Sequence, residues 1–130
     1  MTESRELKLV EWLTAWSAEG KASAAVTLGI GDDMAIVDTG GGHVLLTADM
    51  LLDGVHFDRS KHDPEAIGRK AIACSLSDCA AMAVRPVAAT VSVALPAGWS
   101  HDDSHRLYHG MRAMADAFDC AIVGGDTTAW

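Results

Sequence analysis

Four aspartates occupy positions from which they could bind a metal ion. Asp49 and Asp126 follow predicted strands, Asp32 precedes one in a glycine-bracketed turn, and Asp78 lies inside a predicted helix. Aspartates at strand ends can project into the crevice where open α/β sheets bind ligands. Clustered carboxylates repel one another and lose hydration unless cations hold them. Hard oxygen ligands without a convincing histidine pair indicate Mg²⁺ rather than Zn²⁺.

Each of these aspartates also has a structural explanation. An aspartate beside glycine is commonly a turn former, which applies to Asp32, and Asp126 serves equally well as a turn or cap residue. Asp78 has no capping role, and the apolar stretch around it predicts burial, so its charge needs a positive partner. The alternative to a metal ion there is a salt bridge to a nearby basic residue, Arg69, Lys70 or Arg85.

A second possible metal stripe is formed by histidines. His101, His105 and His109 repeat every four residues, which places them near one face of a helix. Such a stripe is either a metal site or, more commonly, a solvated helix face. We expect the solvated face.

Composition limits the class of protein. The 130 residues suffice for a single domain with a core, and 49% of them are hydrophobic. The net charge of −8 argues against binding to nucleic acid or to an anionic membrane surface. No apolar run approaches the ~20 residues that span a bilayer, and the charged N-terminus lacks a secretory signal. The three cysteines form neither an even disulfide set nor a CxxC pair, so they predict core thiols in a reducing cytoplasm.

Periodicity and turn signals predict the elements that position these residues. Helices are expected over 3–19, 63–84 and 101–118, and strands over 34–37, 43–48, 87–95 and 120–123. The first two strands form a hairpin through Thr39-Gly-Gly-Gly. This order predicts an α+β fold, with a mixed four-stranded sheet that carries helices on one face. The other face would be apolar and bare, so we expect a second copy of the chain to cover it.

Four segments carry a resemblance to a known family. The chain contains, in this order, Gly29-Ile-Gly-Asp-Asp, Thr47-Ala-Asp-Met-Leu-Leu-Asp-Gly-Val-His-Phe, Gly68-Arg-Lys-Ala-Ile-Ala-Cys-Ser-Leu-Ser-Asp-Cys-Ala-Ala-Met and Val123-Gly-Gly-Asp-Thr-Thr. Any one of them is a weak signal, but the ordered set is specific. It resembles the thiamine-monophosphate kinases, within the aminoimidazole-ribonucleotide-synthetase-like superfamily. The match spans about residues 3–130.

The resemblance implies roles for particular residues. The metal ligands of the family correspond to the four aspartates together with one hydroxyl, namely Asp32, Thr47, Asp49, Asp78 and Asp126. Contacts to ATP correspond to Tyr108, Gly125 and Asp126, and a contact to the phosphorylated substrate corresponds to His56.

The implied reaction is direct transfer of the γ-phosphoryl group of ATP to the phosphate of thiamine monophosphate. Several Mg²⁺ ions neutralise the reacting phosphates and align them. Because the acceptor is already ionised, no general base is needed, and we name no catalytic side chain. The family forms homodimers in which the N-terminal sheets of two subunits close into a barrel.

Departures from the family pattern restrict these expectations. Ser75 replaces a usual asparagine, and Ala48 replaces a usual hydroxyl residue beside Asp49. Family members also carry a C-terminal domain, so we expect 1–130 to be the single N-terminal ATP- and Mg²⁺-binding domain and a poor catalyst by itself. Two alternatives remain: another ATP-dependent member of the superfamily, such as an aminoimidazole ribonucleotide synthetase, or a non-catalytic domain that dimerises and binds nucleotide.

Overall fold

The computed structural model of the chain describes residues 5–20 and 23–129. Its elements, in chain order, are α1 (Arg5–Glu19), β1 (Val26–Leu28), β2 (Ala35–Asp38), β3 (His43–Leu46), α2 (Pro64–Ala81), β4 (Ala88–Leu95), α3 (His101–Asp116) and β5 (Ala121–Ala129). The chain divides into two compact units, residues 1–48 and residues 49–130. Within the described ranges, every helix is too short or too polar to cross a membrane.

The first unit contains an antiparallel sheet in the order β1-β2-β3. The predicted hairpin is confirmed: β2 pairs with β3, and the amide of Thr39 donates to the carbonyl of Gly42 at 2.9 Å. Asp38 Oδ1 accepts a further hydrogen bond from the amide of Gly40 at 2.8 Å. Gly40 has a φ of 80°, a left-handed conformation that glycine adopts without a steric penalty. Strand β1 is an additional strand, which the sequence analysis did not predict.

Helix α1 confirms the first predicted helix. None of its residues is buried, and the side chains of Leu9, Trp12 and Trp16 are all more than half exposed. The two tryptophan rings stack with their centroids 6.0 Å apart. Thr14 Oγ1 donates to the carbonyl of Val10 at 2.9 Å and also lies 3.4 Å from the carbonyl of Ile30.

The second unit packs two helices on a parallel pair of strands, β4 and β5. Along β4 the residues alternate between exposed and half-buried, as predicted, so that Val91, Val93 and Leu95 face the helices. The most buried residues of this core come from α2, α3 and the residue just before β5: Ile67, Ile72, Leu107, Met111, Ala115 and Cys120.

Two glycines bring α2 and α3 into backbone contact. A Cβ atom on Gly68 would lie 2.0 Å from the carbonyl oxygen of Leu107, and one on Gly110 would lie 2.0 Å from the carbonyl oxygen of Glu65. Both glycines are buried. The crossing of the two helices therefore depends on the absence of a side chain at these positions.

Both long helices of the second unit begin at a residue whose side chain caps the helix. Asp63 accepts a hydrogen bond from the amide of Glu65 and is followed by proline at the first helical position. Ser100 caps α3, and Asp103 completes a capping box with it. The hydrogen bonds from the Ser100 hydroxyl and backbone hold the pKa of Asp103 below its usual range. Arg106 on α3 also forms an ion pair with Asp63, which ties the N-terminal turns together.

Three details of the predicted fold are corrected. The strands pair in two sheets, three-stranded antiparallel and two-stranded parallel, rather than in one mixed four-stranded sheet. Local connections, a hairpin and a helical crossover, complete each sheet within its own unit. Strand β5 extends through Asp126 to Ala129 because the eight residues of β4 supply a partner for each of its residues except Val123. Helix α3 ends at Asp116, so Phe118 lies beyond it and is 53% exposed.

Candidate metal and phosphate site

The second unit brings together two of the oxygen-bearing side chains singled out in the sequence. Ser75 Oγ on α2 lies 3.4 Å from Asp49 Oδ2, within hydrogen-bonding reach. Asp78 follows Ser75 by three residues and therefore lies on the same side of the helix. Asp49 is exposed, whereas Ser75 and Asp78 are half-buried. Carboxylate and hydroxyl oxygens are donors that suit Mg²⁺, so this part of the site fits the predicted ion.

Two of the remaining predicted metal ligands lie in the other compact unit of the chain. Asp32 and Thr47 belong to the first unit, and no group of three or more His, Cys, Asp or Glu side chains suited to a metal ion forms among the described residues. Asp32 is exposed, and its Oδ1 accepts a hydrogen bond from the amide of Asp33 at 2.9 Å, as a turn-forming aspartate does. Thr47 is half-buried just after β3. The complete ligand set stays a prediction.

Asp126 lies within β5 rather than after a strand. It is exposed and pairs in register with Ser92 of β4. The preceding Gly125 has a φ of 146°, and a Cβ atom there would lie 1.8 Å from the carbonyl oxygen of Val91. Strand pairing alone therefore demands glycine at residue 125, whatever its predicted role towards ATP.

Tyr108 lies on the other face of the same sheet. Its hydroxyl is 3.2 Å from Thr127 Oγ1. Because successive residues of a strand point to opposite faces, Asp126 points away from Tyr108. Tyr108 also lines an open cavity of about 370 Å³, together with Arg112, Asp116 and Ile122. The structure thus separates two of the residues predicted to contact ATP, on opposite sides of β5.

His56 lies in a short turn whose backbone is closed on itself. The carbonyl of Leu52 accepts hydrogen bonds from the amides of Val55 and His56, at 3.2 and 2.9 Å. The amide of Leu52 donates to His56 Nδ1 at 3.0 Å. From α2, the Lys70 ammonium donates to the carbonyl of His56. The turn holds the predicted substrate-binding histidine in a defined position on the surface.

Charge pairs order the loop that follows this turn. Arg59 binds Asp53 through its side chain at 3.0 Å and through its amide at 3.0 Å. Asp58 pairs with Lys61 and accepts hydrogen bonds from Ser60. The Lys61 ammonium, followed by the Ser60 hydroxyl and amide, holds the pKa of Asp58 below its usual range.

The histidine stripe and the cysteines are positioned as expected. His101, His105 and His109 are all exposed on α3. Cys79 and Cys120 are buried, and all three cysteines are free thiols. Burial, and to a lesser extent the neighbouring Cys79, raises the pKa of the Cys120 thiol. Buried neutral thiols of this kind are core residues.

Sequence reasoning missed the function of Lys70 and of the two crossing glycines. The sequence offers Lys70 only as one possible partner of Asp78, but the Lys70 ammonium contacts the turn that carries His56. Lys70 lies two helical turns after Asp63, and nothing in the sequence around it indicates a contact with His56, which is 14 residues earlier in the chain. Gly68 carried a signal, since glycine inside a helix is unfavourable unless packing requires it.

Comparison with known proteins decides the family. Residues 31–129 match the family described as AIR synthase related protein, N-terminal domain. The chain belongs to this family. The thiamine-monophosphate kinase of Bacillus subtilis is 36% identical over 107 residues, which cover 82% of this chain and 33% of the kinase. The resemblance drawn from the four sequence segments is confirmed.

Solved structures extend this likeness to the fold. The structure of AaThiL complexed with AMPPCP and TMP covers the whole chain with a TM-score of 0.81 and 32% identity, and the chain spans 40% of it. Thiamine monophosphate kinase from Aquifex aeolicus gives a TM-score of 0.71 and 30% identity, with 99% of this chain and 40% of that chain covered. The chain thus spans about a third of the length of the curated relative. As a member of the AIR synthase related family it shares an α+β fold with them.

Proposed function

We propose that this chain is the ATP- and magnesium-binding N-terminal part of a thiamine-monophosphate kinase. The observation that supports this most strongly is the likeness of the whole chain to AaThiL complexed with AMPPCP and TMP. The structure of that protein contains an ATP analogue, and the curated relatives of this chain are named thiamine-monophosphate kinase. The pair formed by Asp49 and Ser75 supports the same proposal from within the chain.

The proposed metal ligands are Asp32, Thr47, Asp49, Asp78 and Asp126. Mg²⁺ supplies positive charge that lets two phosphorylated molecules approach, and it aligns the attacking and leaving oxygens. Asp49 is held towards α2 by the Ser75 hydroxyl, which restricts its rotation. Asp78 offers a second carboxylate from the same helix.

The proposed nucleotide contacts are Tyr108, Gly125 and Asp126, with Tyr108 and Asp126 on opposite sides of β5, and His56 contacts the acceptor substrate. The backbone at Gly125 lies so close to the backbone of Val91 that a side chain at residue 125 would clash with it. The Tyr108 hydroxyl lies within hydrogen-bonding distance of Thr127 Oγ1, and Tyr108 lines the open cavity described above. The acceptor phosphate is already ionised at neutral pH, so these residues act by binding and orienting and not by removing a proton.

A second copy of the chain is the proposed partner. Pairing in the first sheet puts Val26, Val37 and Val44 on one face, and Leu46 lies on that face beside Ala35. Val26, Val44 and Leu46 are 48%, 46% and 56% exposed. An apolar strip of this kind favours a homodimer through the sheet, in which the two sheets form a barrel. The three free thiols suit the cytoplasm, where we place the reaction.

The test is a phosphoryl-transfer assay of the purified protein that carries this chain, with ATP, Mg²⁺ and thiamine monophosphate. We expect thiamine diphosphate to form in a magnesium-dependent reaction. Transfer to a different acceptor, with none to thiamine monophosphate, would show that the protein is another member of the superfamily.

A further inference from the structure

The turn at residues 52–57, here called the His56 turn, fixes the ring of its histidine as well as its backbone. The amide of Leu52 lies 3.0 Å from His56 Nδ1, and its carbonyl accepts the amide of His56 at 2.9 Å. The amide of Gly54 donates to the carbonyl of Phe57 at 2.7 Å, which completes the turn. The imidazole is therefore hydrogen-bonded through Nδ1 to Leu52, the first residue of the same turn.

That contact determines which ring nitrogen carries the proton. A backbone amide is always a donor, so His56 Nδ1 must accept, and in a neutral imidazole the proton then resides on Nε2. A doubly protonated ring would lose this hydrogen bond, because it has no lone pair to offer. The exposed side of the ring thus presents an N–H donor.

His62 shows that this is not a general property of the loop. Its Nδ1 lies 3.1 Å from the amide nitrogen of Asp58 but also 2.9 Å from the carbonyl oxygen of the same residue. Donor and acceptor compete for one ring nitrogen, so the geometry selects neither tautomer of His62.

Lys70 holds the other end of the His56 turn. Its ammonium, projecting from α2, donates to the carbonyl of His56, and a charged donor makes a stronger hydrogen bond than a neutral one. Helix α2 is fixed in turn by the glycine crossing with α3. The His56 turn is therefore tied to the packed core of the second unit by the Lys70 contact and by Phe57, which packs against that core.

We propose that Lys70 and the Leu52 amide hold His56 as a neutral imidazole whose Nε2–H donates to a phosphate oxygen of the acceptor substrate. Lys70 is then a positioning residue of the substrate site. The inference rests on the proposed function for the identity of the substrate, but the held tautomer does not depend on it. The ligand group it predicts is an ionised phosphate oxygen, which can only accept a hydrogen bond.

The tautomer is tested by long-range ¹H–¹⁵N NMR of the ¹⁵N-labelled chain at neutral pH. We expect the His56 signals of an unprotonated Nδ1 and a protonated Nε2, while His62 shows an average of the two tautomers. A protonated Nδ1, or an averaged signal for His56 like that of His62, would overturn the proposal.

The role of Lys70 is tested in the same spectra with three variants. Lys70→Met should move the His56 signals towards the averaged tautomer, and Lys70→Arg should restore much of the original spectrum. Lys61→Met is the control, since Lys61 is a lysine of the loop that follows the His56 turn and it pairs with Asp58 instead. The backbone amide spectrum shows whether each variant is folded. Unchanged His56 signals in folded Lys70→Met would show that Lys70 does not position His56.

The phosphate contact is tested by titrating thiamine monophosphate, and separately thiamine, into the chain. We expect the His56 Nε2 signal to shift with thiamine monophosphate and much less with thiamine. Equal shifts would exclude a phosphate oxygen as the acceptor. No shift with either ligand, alongside the expected tautomer, would contradict the substrate contact of the proposed function while the held tautomer stands.

Discussion

At the scale of single residues, the proposed metal site depends on how Asp49 is held. This carboxylate is exposed, and an unrestrained aspartate loses conformational freedom when it binds an ion. The Ser75 hydroxyl at 3.4 Å reduces that freedom before binding.

Ser75→Ala should therefore weaken Mn²⁺ binding, with Mn²⁺ as the spectroscopic substitute for Mg²⁺. One hydrogen bond contributes about 1 kcal/mol, which corresponds to roughly fivefold in affinity. The measurement is the electron paramagnetic resonance signal of free Mn²⁺ during titration. Ser77→Ala is the control, because Ser77 Oγ donates to the carbonyl of Cys74 on the same helix. Equal affinity in the two variants would show that Ser75 does not orient a metal ligand.

Asp58 gives a prediction about pH at the same scale. Its pKa is lowered in the folded chain, mainly by Lys61, so its ionised form stabilises the fold. That contribution is complete above the unfolded value of about 3.9 and is lost as the pH falls through the lowered folded value. The stability difference between wild type and Asp58→Asn, measured by urea unfolding, should shrink as the pH falls below about 4. A difference that is constant with pH would contradict the pairing.

At the scale of elements, the decisive contact is the crossing of α2 and α3. Helix propensity alone predicts that alanine in place of Gly68 stabilises a helix by about 1 kcal/mol. The structure predicts the opposite, since the added Cβ would lie 2.0 Å from a backbone oxygen of Leu107. The sign of the measured change in stability therefore distinguishes the helix-propensity prediction from the steric one.

Gly68→Ala should lower the free energy of unfolding by about 3 kcal/mol, because the helices must move apart and the core loosens. The measurement is chemical denaturation followed by circular dichroism. Gly41→Ala is the control, since a Cβ atom at Gly41 would meet no other atom within 4 Å. A more stable Gly68→Ala variant would show that the helices do not meet at this residue.

The predictable elements were those with local signals. Asp63 with its following proline, and Ser100 with Asp103, set the starts of α2 and α3, and the alternation of β4 was read directly from its residues. The length of β5 could not be read in this way. Its glycines and polar residues resemble a loop, and only pairing with β4 makes them a strand.

Sequence motifs propose the residue types of the candidate site, but they could not give the arrangement of those residues. The four aspartates and His56 were identified from motifs, but no local pattern could indicate that Ser75 would reach Asp49 or that Lys70 would reach His56. Such contacts join residues that are 26 and 14 positions apart, and they depend on how the loop before α2 folds back onto that helix.

At the scale of the whole molecule, the exposed apolar face of the first sheet carries the proposed dimer. Leu46→Glu puts a charge on this face, and an unpaired charge in an apolar interface costs several kcal/mol. We expect dimer affinity to fall by at least about tenfold in sedimentation equilibrium. Val87→Glu is the control, because Val87 lies in the second unit and is 80% exposed. A wild-type chain that is monomeric at all concentrations would contradict this interface.

The most direct test of the proposed function is calorimetry of this chain with AMPPCP in the presence and absence of Mg²⁺. We predict binding that needs Mg²⁺, that is lost in the Asp49→Asn/Asp126→Asn double variant, and that is retained in Asp102→Asn, which alters an exposed aspartate at the start of α3. Nucleotide binding of equal strength without Mg²⁺ and in the double variant would show that these carboxylates do not hold the ion, and the kinase assignment would then lose its chemical basis.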